Sequence, residues 1–271
     1  QSMRGATVEH FIDTLYEGVR SCFHGQISFD LKPVYHDFVK LVEELNKADI
    51  NLIIIFDEFD LITLNPSFDV EFYSWLRSLA SHYRVAFITS SLSQLQQLCA
   101  TKKISDSPFF NIFTAFHVGP FTLQEARGLI GGLLKLSLRE YDFSGWEEEI
   151  FAQAGYLPFF IQIYCANLFD LYPAGPSPQE VADAFMEEAR DHFEHICRNL
   201  CAEERECLRL IKARKSCGPK LESFHQQLIR KGYVIQEGDK ARVFSAAFEQ
   251  FMASRPESQC QKSLWSKLWK K

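Results

Sequence analysis

Apolar and polar positions alternate along this chain in two distinct rhythms. Val8, Phe11, Ile12, Leu15, Tyr16 and Val19 recur at helical spacing over residues 7–23, with Thr7 placed to cap the first turn. Val34, Phe38, Leu41, Val42 and Leu45 mark a second amphipathic helix over 34–48. An unbroken apolar run then follows, Leu52-Ile53-Ile54-Ile55-Phe56, ending in Asp57-Glu58-Phe59-Asp60. It is expected to be a strand buried on both faces, with acids where it emerges. After a turn through Asn65-Pro66, Phe72, Trp75, Leu76 and Leu79 predict a helix over 68–82. Val85–Ser91 is expected to be a second buried strand, ending in hydroxyls, followed by a helix over 92–99. An irregular passage over 101–114 and a short strand over 116–119 close this part. Helices that feed buried strands imply an α/β unit with a parallel sheet.

From residue 120 the helical rhythm takes over. Thr122 and Glu125 form a capping-box pattern that opens a helix to Leu136. Gly155 stops a helix over 146–154, Pro158 sits in the first turn of the next, over 157–172, and a long helix is expected over 179–201. Helices over 203–213 and 220–231 then precede a hairpin signal, Glu237-Gly238-Asp239, between 233–235 and 241–244. This is the element order of a winged helix-turn-helix. The expected divisions are an α/β core over 4–119, a helical segment over 120–201, a winged helix over 202–254 and a tail over 255–271.

The composition, 46% hydrophobic and 24% charged, is that of an ordinary globular domain. No apolar run approaches the roughly 20 residues of a membrane span, no signal peptide opens the chain, and a cytoplasmic protein is expected. Gln1-Ser2-Met3 reads as the remnant of a cleaved tag. Charge divides the chain: residues 205–242 carry ten Lys/Arg against four Asp/Glu, a local +6, whereas 1–204 carry 14 against 29, a local −15. The basic segment brings duplex DNA into consideration, through Lys220, His225, Arg230 and Lys231 on its second helix. In the tail, Leu264, Trp265, Leu268 and Trp269 share one side of any helix among lysines, so Trp265 and Trp269 are the candidates for membrane contact. The eight cysteines show no paired C-x₂-C spacing, and reduced thiols are expected rather than a metal site.

The chemistry centres on the two strand ends. In open α/β sheets ligands bind beyond the carboxyl ends of the strands. Phosphoryl transfer needs a carboxylate for Mg²⁺ and often a second to orient water, roles that suit Asp57 and Glu58. A neighbouring strand tipped with Thr89 and Ser90 would set hydroxyls beside them. The plainer reading is a core strand running into a solvated acidic turn.

Taken in order, these segments resemble the P-loop NTPases of the AAA+/STAND group. Ile53–Asp60 (IIIFDEFD) resembles Walker B, Val85–Ser91 (VAFITSS) the sensor-1 strand, and His117–Ala126 (HVGPFTLQEA) the entry to a helical lid. Gly155–Pro158 (GYLP) resembles the GxP element, and a winged helix is the usual companion. The resemblance implies an ATP-dependent signalling switch in which Asp57 holds Mg²⁺, Glu58 is catalytic, Thr89 or Ser90 senses the γ-phosphate, and Gly155 and Pro158 seat the base. It also implies homo-oligomers when nucleotide is bound and a fused effector domain. One departure is large: no G-x-x-x-x-G-K-[ST] occurs in the 271 residues, so this chain is expected to bind ATP poorly. The alternatives are a non-catalytic scaffold that keeps the fold, and a DNA reader acting through the winged helix.

Overall fold

A computed structural model describes residues 5–23, 32–91 and 107–254. The chain divides into two compact units, one ending at Phe116 and the other beginning at His117.

In the first unit, α1 (Val8–Cys22) starts where the Thr7 hydroxyl accepts the His10 amide at 3.3 Å, and it buries Phe11, Ile12, Tyr16 and Val19. Helix α2 (Tyr35–Lys47) buries Phe38, Leu41, Val42 and Leu45, each on the apolar stripe of its sequence. Strand β1 (Leu52–Phe56) follows, then a single helical turn, α3 (Asp60–Thr63). The Asp69 carboxylate accepts the amides of Glu71 and Phe72 and so caps α4 (Val70–His82). Strand β2 (Val85–Thr89) pairs with β1 in parallel, Leu52 opposite Val85 and Phe56 opposite Thr89. Beneath the sheet lies an aromatic core in which Phe11 meets Phe72 edge-on at 5.1 Å and Phe56 stacks on Phe59 at 5.1 Å.

Two expectations fail here. The strands are not buried on both faces: Ile54 and Phe56 face the core, but Ile53, Ile55 and Ile88 are 60%, 70% and 54% exposed. A uniformly apolar run cannot tell one face from the other. Period-two geometry sends alternate side chains to opposite sides, and helices cover only one of them among the described residues. The expected strand over 116–119 is irregular, with Phe116 and Val118 almost fully exposed. Extended backbone becomes a strand only when a neighbour takes its N–H and C=O groups, and no strand pairs with it among the described residues. The expected helix over 92–99 lies outside the described residues, as does the tail with Trp265 and Trp269.

The second unit is built on α5 (Leu123–Leu136), α6 (Glu147–Ala154), α7 (Pro158–Leu171) and α8 (Pro178–Asn199). The capping box forms as the sequence predicts: the Thr122 hydroxyl accepts the Glu125 amide, and the Glu125 carboxylate accepts the Thr122 amide at 2.8 Å. A second capping box, Ser177 with Glu180, opens α8 one residue before the expected start, with Pro178 at its first position. Then come α9 (Ala202–Lys212), α10 (Glu222–Arg230), the antiparallel hairpin β3 (Val234–Glu237) and β4 (Lys240–Val243), and α11 (Ala246–Ala253). Phe160, Phe185, Phe193, Phe244 and Phe248 are buried in one continuous core that joins the helices to the hairpin.

That join depends on a glycine. Gly155 ends α6 with φ 64° and ψ −145°, a region closed to side chains, and a Cβ there would sit 2.6 Å from the Phe244 carbonyl oxygen. Gly175 also has positive φ, but nothing lies within 4 Å of its missing Cβ. Gly155→Ala should therefore cost about 3 kcal/mol or more, against about 1 kcal/mol for Gly175→Ala. Urea denaturation of the two variants measures the difference, and equal losses would show that the Phe244 contact carries no weight.

Candidate functional site

The site forms where the two parallel strands end. Pairing does not stop at Phe56 and Thr89: the Ser90 amide donates to the Phe56 carbonyl, and the Phe59 amide to the Ser90 carbonyl, both at 2.9 Å. This extension of the ladder holds the acidic turn beside the end of β2. The Ser90 hydroxyl donates to Asp57 Oδ1 and accepts the Glu58 amide at 3.1 Å, and Asp57 Oδ1 accepts that same amide at 3.1 Å. Asp57, Glu58 and Ser90 thus form one closed knot of hydrogen bonds.

The knot holds a strained residue. Glu58 has φ 51°, left-handed backbone that non-glycine residues adopt at a cost of roughly 1–2 kcal/mol. Such strain survives only where surrounding bonds fix the backbone, and it concentrates at functional sites. Here it turns the Glu58 side chain, like that of Asp57, towards solvent. Thr89, half-buried and paired with Phe56, completes the group at the strand ends. Asp57, Glu58, Thr89 and Ser90 are therefore neighbours, as the alignment of acid-tipped and hydroxyl-tipped strands predicts.

The donor set suits a hard divalent cation. Two exposed carboxylates at a strand end fit Mg²⁺, which keeps several waters and takes one or two protein carboxylates. A triphosphate is a different matter, since no glycine-rich phosphate loop with its lysine exists in these 271 residues. The residues present fit the metal and lack the phosphate cradle.

Asp60 carries a signal that sequence reasoning passed over. It is 7% exposed, and its Oδ1 has no hydrogen-bond partner among the described residues. A buried carboxylate oxygen without a partner is costly and calls for an explanation. Its place as the second aspartate of Asp57-Glu58-Phe59-Asp60 was the available clue.

Gly155 and Pro158 belong to the second unit. Gly155 is buried against Phe244, and Pro158 is half-buried at the first position of α7. The intervening Tyr156 carbonyl accepts the Phe121 amide at 2.9 Å. Two grooves of about 510 and 690 Å³ open on this unit, one beside Arg127, Tyr156 and Arg242, the other beside Leu133, Leu138 and Cys165; neither is lined by a predicted site residue. Of the four residues proposed to meet DNA, Lys220, Arg230 and Lys231 are exposed. Lys231 is taken up by an ion pair with buried Glu204 at 2.6 Å, and the His225 side chain is 16% exposed with Nε2 buried.

Replacing Glu58 by glycine removes the conformational strain and leaves the backbone bonds in place. Glu58→Gly should stabilise the fold by about 1 kcal/mol, a rise of a few degrees in Tm by calorimetry. An unchanged or lower Tm would mean that the left-handed backbone costs nothing here.

Comparison with known proteins identifies the fold and the family. The family model described as Novel STAND NTPase 2 matches residues 42–217. Among solved structures, the chain is similar to the Walker-type ATPase PABY2304 of Pyrococcus abyssi, at 15% identity and a TM-score of 0.57, over 91% of this chain and 79% of that one. It is also similar to the ORC2 protein of Aeropyrum pernix, solved as ADPNP–ADP complexes, at 14% identity and a TM-score of 0.53, over 93% and 76%. No curated protein matches. The structural likenesses establish an α/β NTPase-like fold, mostly helical with a small parallel sheet, and the family match covers more than half of the chain: this protein is a member of the Novel STAND NTPase 2 family.

Proposed function

We propose that the chain is the greater part of an ATP-dependent signalling switch, in which the first unit holds Mg²⁺–nucleotide and the second, a helical lid continued by a winged helix, responds to it. The observation that carries this reading is the knot of Ser90, Asp57 and Glu58 at the carboxyl ends of two parallel strands, in a chain of an NTPase family. When bound, Mg²⁺ neutralises phosphate charge. Asp57, its Oδ1 bonded to Ser90, would hold the metal directly or through its waters. Glu58, turned out by its left-handed backbone, is placed to orient a water and take its proton. Thr89 lies one residue from the knot and is the better candidate for a phosphate-sensing hydroxyl, because the Ser90 hydroxyl is already committed. Gly155 and Pro158 lie in the second unit, where Gly155 joins the helices to the hairpin through Phe244; their role in seating the base rests on the family resemblance alone.

The phosphate cradle would come from polypeptide outside these 271 residues. Support for this comes from the open face of the sheet. Parallel sheets are normally covered on both faces, whereas Ile53, Ile55 and Ile88 are bare. A strand and helix carrying a phosphate loop would cover them and complete the site. Nucleotide-dependent self-association and a fused effector belong to the same proposal, as does a cytoplasmic setting. The scaffold reading rests on the same bare face and on the lack of a phosphate loop, and it requires that no such element ever joins the sheet. DNA does not enter the proposal: Lys220, Arg230 and Lys231 are exposed, but His225 is largely buried and Lys231 already pairs with Glu204.

In the complete natural protein, Glu58→Gln should retain ATP and lose turnover by about 100-fold or more, while Asp57→Asn should weaken Mg²⁺-dependent ATP binding. Equilibrium binding and phosphate release measure the two effects separately. Turnover unchanged in Glu58→Gln would end its assignment, and a natural protein with no phosphate loop and no ATP binding would favour the scaffold.

A further inference from the structure

Two thiols meet where α9 gives way to the turn before α10. Cys207 is fully buried on α9, its sulfur donating to the Leu221 carbonyl at 3.6 Å. Cys217 is half-buried in the connecting loop, and its thiol donates to the Cys207 carbonyl at 3.9 Å. The Cys217 sulfur therefore lies against the backbone of Cys207 itself. The segment between them, 208–216, carries Arg209, Lys212, Arg214 and Lys215, and Arg214 holds left-handed backbone with φ 56°. No part of the proposed nucleotide chemistry uses either cysteine.

We propose that Cys207 and Cys217 are a reversible disulfide pair, oxidised by small-molecule disulfides such as oxidised glutathione, which staples the end of α9 to the entry of α10. Cys217 is the more accessible sulfur and reacts first. Its thiol loses a proton to solvent, and the thiolate attacks one sulfur of the small disulfide. That S–S bond breaks, one glutathione thiolate leaves, and Cys217 carries the mixed disulfide. The Cys207 thiolate then attacks the Cys217 sulfur and expels the second glutathione. Two electrons pass from the cysteine pair to the small disulfide, which leaves as two thiols. Closing the bond requires the Cys217 sulfur to leave the Cys207 carbonyl and the Cys207 sulfur to leave the Leu221 carbonyl, so that the two meet at about 2.05 Å, which side-chain rotation and the loop that carries Cys217 can supply.

The reaction is slow near neutrality and quickens with pH. Burial, helped by the bond to Cys217 and the nearness of Cys201 and Glu204, pushes the Cys207 thiol up to about 12. Burial also raises Cys217, with Glu222 and Glu206 adding to the effect and the bond to Cys207 opposing it. Thiolate is the attacking species, so the initial rate should rise about tenfold per unit between pH 7 and pH 9.

The sequence supplies a direct readout, because trypsin cuts inside the loop. Glu206–Arg209 and Ser216–Lys220 are released as separate peptides unless a disulfide joins them. The chain is incubated with oxidised glutathione, blocked with iodoacetamide, digested and weighed without reduction. The joined pair should appear in the wild type and in Cys201→Ser, vanish in Cys217→Ser, and be reversed by dithiothreitol. Both peptides recovered alkylated or glutathionylated at saturating oxidised glutathione would overturn the proposal, and so would Cys207 joined to Cys201.

Discussion

Everything that this protein can do with its acids rests on a pair of backbone hydrogen bonds lying just past the ends of two strands. The Ser90 amide reaches the Phe56 carbonyl, and the Phe59 amide reaches the Ser90 carbonyl. They extend the parallel ladder past the last paired residues and so fix the turn that carries Asp57 and Glu58. With the backbone pinned on both sides, one hydroxyl suffices to orient the rest. Ser90 takes one oxygen of Asp57 and the amide of Glu58, leaving the second oxygen of Asp57 and both oxygens of Glu58 to point outwards. The left-handed Glu58 is the cost of that arrangement.

Among the described residues, support for the ladder comes from one side. Phe56 and Ile54 reach down into a core of Phe11, Phe59, Phe68 and Phe72, where aromatic contacts at 4.7–5.7 Å are nearly continuous. The opposite side presents three isoleucines to solvent. Two strands covered on one face make a marginal sheet, and the bare side is where an added layer would most increase its stability. The second unit is self-sufficient by comparison. Its buried phenylalanines bind helices and hairpin into one core, and Gly155 lets the end of α6 touch Phe244. The Glu204–Lys231 pair fixes the start of α9 to the end of α10.

Much of this was legible in the residues. Helical spacing located α1, α2 and α4 and named their buried positions, because an amphipathic stripe has one way to face a core. Thr7, Thr122 and Gly155 marked helix ends for local reasons of hydrogen bonding and backbone freedom, and the structure keeps all three. The neighbouring strand ends, acid beside hydroxyl, followed from two apolar runs of equal length in one α/β unit. The missed features depend on distant partners. Nothing in LIIIF distinguishes a strand covered on both faces from one covered on one, since every position is apolar. The extended residues 116–119 look like a strand by composition but have no neighbour to pair with among the described residues. His225 reads as a surface group until the packing of α10 covers it, and the pairing of exposed Lys231 with buried Glu204 is invisible in the sequence. The bond from Ser90 to Asp57 spans 33 positions, beyond any local pattern.

The account stands or falls on whether Ser90 holds the acidic turn in place. Amide hydrogen exchange at Glu58 and Phe59, compared between wild type and Ser90→Ala with Ile54 as internal reference, measures this directly. Loss of the hydroxyl should speed exchange at Glu58 about tenfold, as expected for a bond worth roughly 1.4 kcal/mol, and leave Ile54 unchanged. An identical Glu58 rate in both proteins would contradict the account, because the acids would then be held by something other than the end of β2.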